Sequence, residues 1–571
     1  MRSSLVLRVR IICAFFILAT ILLVVRLYFV QIIHGAEYKK DAIGQYVESS
    51  PDTEARGNIY FTAKDGTLVA GAVMQTGWRI AIRPADILDS EKTYRALNVI
   101  TPVDRERYDQ SIAKKDDPYE EIAFRVPEDA GVKIRDAKLG GVLLVQDQWR
   151  AYPAGTLAAQ TLGFVGFKGN TKTGVYGLER EWQATLAKLS AGHYVNPFAE
   201  IFTNVGALIS SDPAAHEGSI ITSIEPSVQL ELEKTLDSVM KTYSPNTVGG
   251  IVMDPVTGEI VAMGARPAFD PNLYNTVTNA AVFSNPLVEG RYEMGSIMKP
   301  LTVAIGVDAG AITPETTYND TGCATRSGKK ICNYDLKARN VVSMQEVLNQ
   351  SLNLGVTFIV DRTGHEIFTR YMRQLAFDQK TEIDVPNEVL GDISPLGNGE
   401  KPEVNYAAAS FGQGISVTPI AMIRALSVLA NGGKLPNPHV VTGIRYESGI
   451  TRSISATSSV QVLKPETVTI VSNMLVKVYD KALLGGVLKQ EHYSIAAKTG
   501  TAQIAEPGSG YYSDRFLHSF FGYLPAHEPK YIVFLFAIEP HGAEFASATL
   551  ARPFAGLAEF LVNYYDIPPD R

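Results

Sequence analysis

Ser296, Lys299, Ser351, Asn353 and Lys498 are the residue types that serine acyl transfer needs. They stand in three short motifs in one order: Ser296-Ile-Met-Lys299, then Ser351-Leu-Asn353, then Lys498-Thr-Gly500-Thr501. A serine hydroxyl is a weak nucleophile until a neighbouring base takes its proton. A lysine at i+3 shares the serine's helix face, and it becomes a base when burial and nearby cations depress its pKa. Such a set works without a metal or a cofactor.

Each motif recurs by chance. Ser-x-x-Lys is also present at Ser111, Ser238 and Ser327, Ser-x-Asn at Ser244, and Lys-Thr-Gly at Lys172. Context separates them. Ser238 falls in the middle of an expected helix, Ser327 lies between two cysteines, and no Ser-x-Asn separates Ser111 from Lys172. Around Ser296 the local pattern fits a nucleophile. Gly295 precedes it, and Pro300 fits a first helical turn, where N–H groups lack partners anyway. Leu301 to Val307 reads as a buried helix. Ser296 is therefore expected at a helix N-terminus, where backbone N–H groups favour negative charge. Lys498 follows a short apolar run, Ser494-Ile-Ala-Ala497, that reads as a strand. Gly500 is expected to let substrate backbone approach that strand, whose edge can pair with an extended peptide.

The elements that must hold these residues can also be placed. The chain has 571 residues, 46% of them hydrophobic, enough for two to four domains, and its net charge of −7 offers no basic surface for nucleic acid. Residues 11–33 form an apolar run long enough to cross a bilayer, with Arg2, Arg8 and Arg10 before it. We expect an uncleaved single-pass anchor after a short cytoplasmic tail (1–10), because no small-x-small cleavage site follows the run. Residues 34–217 form a mixed region without a complete catalytic set. From residue 218 the pattern becomes strand, helix from Pro226, and a hairpin of 249–253 and 260–263 around Asp254-Pro-Val-Thr-Gly258. Two late strands (520–524 and 531–536) and a final helix near 547–565 close the chain. Strands at both ends with helices between predict an α+β domain whose early and late strands share one sheet. Of the three cysteines, Cys323 and Cys332 flank a polar loop. In an oxidising exterior they can form a disulfide, but sequence leaves free thiols equally open.

Taken together, the motifs resemble those of the penicilloyl serine transferases, and the whole chain resembles a class B penicillin-binding protein of the division, FtsI-like type. The likeness extends to Arg56-Gly, Asn58-Ile-Tyr60, Arg150-Ala-Tyr-Pro-Ala-Gly155, Gly177-Leu-Glu179, Val252 to Gly258, Phe411-Gly-Gln-Gly414, Val417-Thr-Pro419 and Asn431-Gly-Gly433. The resemblance implies a β-lactamase-like transpeptidase fold in 218–571, preceded by an elongated, dimerisation-like pedestal in 34–217. It implies a peptidoglycan D,D-transpeptidase that cross-links stem peptides through an acyl-enzyme and is bound covalently by β-lactams. Ser296 would attack the penultimate D-Ala carbonyl, with Lys299 as proton acceptor. Ser351 would relay protons, Asn353 would hold the substrate amide, and Lys498 would supply positive potential. Thr499 or Thr501 would contact the substrate carboxylate, and the N–H groups of Ser296 and Thr501 would form the oxyanion hole. Leu352 departs from the small or polar residue expected there. Arg56, Arg150 and Glu179 read as pedestal ion pairs, and His518 and His541 as structural.

Two other functions fit the same motifs. A D,D-carboxypeptidase or β-lactamase would use this site but needs neither anchor nor pedestal. A β-lactam sensor or inactive scaffold is disfavoured by the complete residue set and the short inner segment. With no second catalytic region, the resemblance further implies a SEDS-family glycosyltransferase in the membrane and divisome or elongasome proteins as partners. The catalytic part would lie outside the cytoplasm, and the division and elongation roles both remain open.

Overall fold

In the computed structural model, residues 56–187 and 217–571 are described, apart from 170, 398, 400, 447, 448, 455–458 and 509. Of the segment expected as an anchor, only positions 18, 20, 23, 25 and 26 are described, all helical. The expectation of an anchor over 11–33 thus falls largely outside the described residues, among which no helix is long and apolar enough to cross a membrane.

The expected joint sheet of early and late strands is present. Its five antiparallel strands run in the order Ala496–Glu506, Gly510–Leu524, Tyr531–Ile538, Thr247–Met253 and Ile260–Arg266. The strand Tyr531–Ile538 is apolar at both parities because both sheet faces are covered. Val533, Leu535 and Ala537 join a core with Leu232, Leu236, Phe554 and Leu557, from the helices Pro226–Tyr243 and Ala551–Tyr564. Ile532, Phe534 and Phe536 enter the larger core with Ile297 and Leu301 of the nucleophile segment. The strand behind the nucleophile is thereby packed from two sides, which anchors the site's floor.

A second sheet has seven strands. It joins Ile59–Thr62, Leu68–Ile82, Glu120–Val126 and Val142–Ala151 to Ser219–Thr222, Val441–Arg445 and Thr451–Ser453. Ser219–Thr222, just past the expected boundary at 217, runs parallel to Ile59–Thr62 with Ile59 opposite Ile220. The two stretches on either side of that boundary therefore share backbone hydrogen bonds.

The three charges read as pedestal ion pairs, Arg56, Arg150 and Glu179, meet in one buried cluster. Arg56 Nε and Arg150 Nε each donate to Glu179, to Oε2 and Oε1, both at 2.6 Å. Arg150 Nη1 also donates to Gly57 O at 2.8 Å and Arg56 Nη2 to Glu179 O at 2.7 Å, so the cluster ties three distant backbone segments. Burial by itself would raise the Glu179 carboxyl's pKa. The charges and hydrogen bonds of Arg150 and Arg56 outweigh that and hold it below the usual value.

Candidate active site

Ser296 sits in a 3-10 turn, Gly295–Met298, that continues directly into the helix Lys299–Asp308 with Pro300 in its first turn. That helix is buried on nearly every side, which explains its mostly apolar sequence. The side chain of Lys299, one turn after Ser296, is carried into the interior and is 1% exposed.

The three motifs converge. Lys299 Nζ donates to Ser351 O at 2.5 Å and to Ser351 Oγ at 3.1 Å. Lys498 Nζ donates to the same Ser351 Oγ at 3.1 Å and to Thr499 O at 3.0 Å. One serine hydroxyl therefore lies between two buried lysines. Ser351 occupies the left-handed region at φ 55°. A non-glycine residue pays about 1–2 kcal/mol to sit there. Its reward is to present both carbonyl and hydroxyl to Lys299. The helix after it starts at Asn353, with Leu352, fully buried, as its N-cap residue. The unexpected Leu352 is thus a core residue whose side chain lies away from water.

Burial pushes the Lys299 ammonium well below the ordinary lysine pKa, and the charge of Lys498 lowers it further. Burial also lowers Lys498, to about 8. Two cations so close cannot both persist easily, and Lys299 is the one that gives up its proton first. The pair then divides into a neutral base and a retained cation.

Asn353 Nδ2 donates to Cys332 O at 2.8 Å. Cys332 belongs to a hairpin of Cys323–Arg326 and Lys329–Cys332, and Cys323 and Cys332 are joined in a disulfide. Of the two cysteine states that sequence leaves open, the structure holds the bonded one. The next residue, Asn333, accepts from Leu354 N at 3.2 Å and donates to buried Asp320 at 2.9 Å, so the hairpin braces the second motif. One N–H of Asn353 is committed to this brace. The amide's second hydrogen and its oxygen remain for other partners by its chemistry.

Gly500 has a task that sequence does not disclose. A Cβ there would lie 2.8 Å from Met294 O, 3.0 Å from Ile297 N and 2.3 Å from Ser519 Oγ. What its bare face admits is the nucleophile turn itself, not the substrate backbone expected above. Thr501 Oγ1 accepts from Ala546 N at 3.1 Å, at the start of the short helix Ala546–Thr549. This fixes the threonine's side chain beside the strand's edge, and Thr499 shares its half-buried face.

Other residues that build the site escaped the motifs. Gly295 N donates to Gly412 O at 3.1 Å, and a Cβ on Gly412 would lie 2.4 Å from Gly295 O. Thr302 Oγ1 donates to Ser410 O at 2.7 Å. The stretch Phe411-Gly-Gln-Gly414 thus backs the nucleophile turn, and its paired glycines were the available signal. The decoy serines lie in other settings: Ser238 inside Pro226–Tyr243, Ser111 at a buried position donating to Glu120, and Ser327 in the tip of the disulfide hairpin. His518 has both ring nitrogens engaged, with Thr549 Oγ1 at 2.9 Å and Glu544 O at 3.1 Å, and burial pushes its pKa down to about 4. His541 holds Ser244 O at 3.0 Å. The ring contacts of both histidines go to residues outside the three motifs.

Residues 248–556 match the family model described as the penicillin binding protein transpeptidase domain. All three motifs lie inside that span. The chain is 27% identical over 541 residues to stage V sporulation protein D of Bacillus subtilis, covering 93% of this chain and 81% of that one. It is 28% identical over 478 residues to the peptidoglycan D,D-transpeptidase FtsI homolog of Mesostigma viride, covering 78% of each. Among solved structures, penicillin binding protein 3 of Mycobacterium tuberculosis complexed with aztreonam superposes with a TM-score of 0.69 at 21% identity, over 91% of this chain and 98% of that one.

Proposed function

Because this chain belongs to the penicillin-binding-protein transpeptidase family, we propose that it is a class B peptidoglycan D,D-transpeptidase in which Ser296 forms the acyl-enzyme. The observation that carries this reading is the chain of contacts Lys299 Nζ–Ser351 Oγ–Lys498 Nζ, with both steps at 3.1 Å.

Neutral Lys299 takes the Ser296 proton as Oγ attacks the penultimate D-Ala carbonyl of a stem peptide. The oxyanion of the tetrahedral intermediate is held by the N–H groups of Ser296 and Thr501. The proton passes through the Ser351 hydroxyl to the leaving amine, and the terminal D-Ala departs. An acceptor amine on a second stem peptide then attacks the ester, its proton returns along the same path, and Ser296 is regenerated. Asn353 orients the substrate amide. Lys498 and a threonine hydroxyl, Thr499 or Thr501, receive the substrate carboxylate. A β-lactam enters the first half of this cycle and remains on Ser296.

We place the catalytic part at 218–571, outside the cytoplasm, on a pedestal of 34–217 and a single anchor at 11–33. The shared seven-stranded sheet would transmit pedestal position to the catalytic part through strand pairing. A division role is favoured by the likeness to a relative named as an FtsI homolog. A SEDS-family glycosyltransferase would supply the glycan strands whose stem peptides this chain cross-links.

Reaction of the purified protein with a fluorescent penicillin, followed by peptide mapping, should place one adduct on Ser296. An adduct on Ser111, Ser238 or Ser327 instead would overturn the assignment.

The lysines also set a pH profile. Acylation needs Lys299 neutral, so its rate should rise as pH climbs through that lysine's depressed pKa. It needs Lys498 charged, so the rate should fall as pH passes about 8. Lys498→Ala should slow acylation by a carboxylate-bearing β-lactam about 100-fold, as for the loss of one preorganised contact. Lys498→Arg keeps the charge, so it should lose less and should move the falling limb to higher pH. Stopped-flow rates across pH check both. Equal rates for the parent and Lys498→Ala would make the third motif a structural strand.

A further inference from the structure

The proposed oxyanion hole is split between two elements that are far apart in sequence. One N–H is on Ser296, in the turn before the nucleophile helix, and the other is on Thr501, in the strand Ala496–Glu506. Their separation is set by how that turn rests on that strand. Two contacts decide it. Gly500, next to Thr501, presents a bare face to Met294 O and Ile297 N. Ser519, directly opposite Gly500 on the neighbouring strand, fills the same gap from the other side. Ser519 is fully buried, and its Oγ donates to Met294 O at 2.8 Å.

We propose that Ser519 is a positioning residue for acyl transfer: its hydroxyl ties the carbonyl of Met294 to the sheet and so sets the spacing of the two oxyanion donors. Three observations support this role over plain core filling. The hydroxyl spends its hydrogen on a turn carbonyl two residues before the nucleophile. That turn lies close on the strand, since a Cβ on Gly295 would stand 3.0 Å from Thr501 O. It is held from behind by Gly295 N on Gly412 O at 3.1 Å. Beside that tether, the Ser519 hydrogen bond links the turn's backbone to the sheet, two residues before the nucleophile, while Tyr511 Oη on the same strand holds only the side chain of Glu293, at 2.9 Å. A donor displaced by a fraction of an ångström changes noncovalent binding little, but it polarises a carbonyl seated in the hole less and stabilises the developing oxyanion less. Ser519 touches no reacting atom, so its effect must be confined to the chemical step.

The inference rests on the Ser296 reading above. Ser519→Ala removes the hydroxyl at almost constant volume. Stopped-flow acylation by a chromogenic cephalosporin should show the acylation rate constant falling about tenfold or more, with the precovalent Kd unchanged within about twofold. Infrared difference spectra of the acyl-enzyme should show the ester carbonyl stretch at higher frequency, since a looser hole polarises it less. Ser519→Cys, with a weaker donor of similar size, should fall between parent and alanine in both measures. It also stands in, by the same criteria, if the alanine variant does not fold. An acylation rate within about twofold of the parent, a loss carried by Kd alone, or a slower rate with an unmoved carbonyl band would each overturn the proposal. None of these outcomes alters the adduct map of the parent, so the Ser296 assignment stands or falls separately.

Discussion

Lys299→Met should react with β-lactams at least about 1,000-fold more slowly than the parent, because it removes the base while nearly keeping its volume. Ser296 would remain in its turn, with the oxyanion donors in place. Only the proton acceptor is lost, together with the start of the relay through Ser351. The rising limb of the parent's pH profile, which reports Lys299 losing its proton, should be absent from the variant's residual rate. Folding should survive. The Lys299 pKa is lower in the folded chain than the ordinary lysine value. Between those two values the unfolded chain binds more protons, so this group opposes folding at neutral pH, and stability rises as pH climbs toward the ordinary value. Lys299→Met removes that pH-dependent gain along with the base. Denaturant melts of the two proteins at neutral and alkaline pH measure it. An acylation rate within about tenfold of the parent would assign the proton to another acceptor.

The second large effect concerns stability. Glu179→Ala should cost about 3–5 kcal/mol, because it leaves Arg56 and Arg150 buried without their counter-charge. The side chain of Glu179 is 0% exposed and those of the arginines 8% and 5%, so water cannot replace it cheaply. The pH dependence has the opposite sign from that of Lys299. Glu179 has a folded pKa below its ordinary value. Its contribution is present above the unfolded carboxyl pKa, and it is lost as pH falls through the lowered folded value. Glu179→Gln should therefore lack part of the parent's acid-unfolding limb. At temperatures where the variants remain folded, acylation of Ser296 should proceed at the parent rate, since among the described residues this cluster makes no hydrogen bond to the three motifs. A loss below about 1 kcal/mol in urea melts would show that the ion cluster is dispensable.

The residues proposed for the chemistry could be picked out in the chain because nucleophile, base, relay and cation each demand a particular residue type. Only one set of such residues ran in order with a helix start, a polar link and a strand around it. The central strands were legible too. Runs such as Tyr531–Ile538 are apolar at both parities only when both faces are buried, and the turn at Asp254 to Gly258 carries its own signal. Other properties depend on contacts between residues far apart in the chain, and no local pattern encodes those. Sequence names Lys299, Ser351 and Lys498, but only the fold brings one hydroxyl between two lysines. Burial of both lysines, and the charge of Lys498 beside Lys299, lower the Lys299 pKa well below the ordinary value, which marks it as the proposed base. The left-handed backbone of Ser351 is imposed by the packing around it, since serine has no intrinsic preference for that region. Gly500 looked like a place for substrate because glycine means space. Tertiary structure fills that space with the nucleophile turn and Ser519. The boundary at 217 followed a change in composition, yet the strand Ser219–Thr222 pairs across it, because hydrogen bonds between strands depend on proximity in space and leave no mark on which side of a composition change a strand lies. The bond between Cys323 and Cys332 was decided in the same way, by a hairpin register that sets the two residues opposite each other.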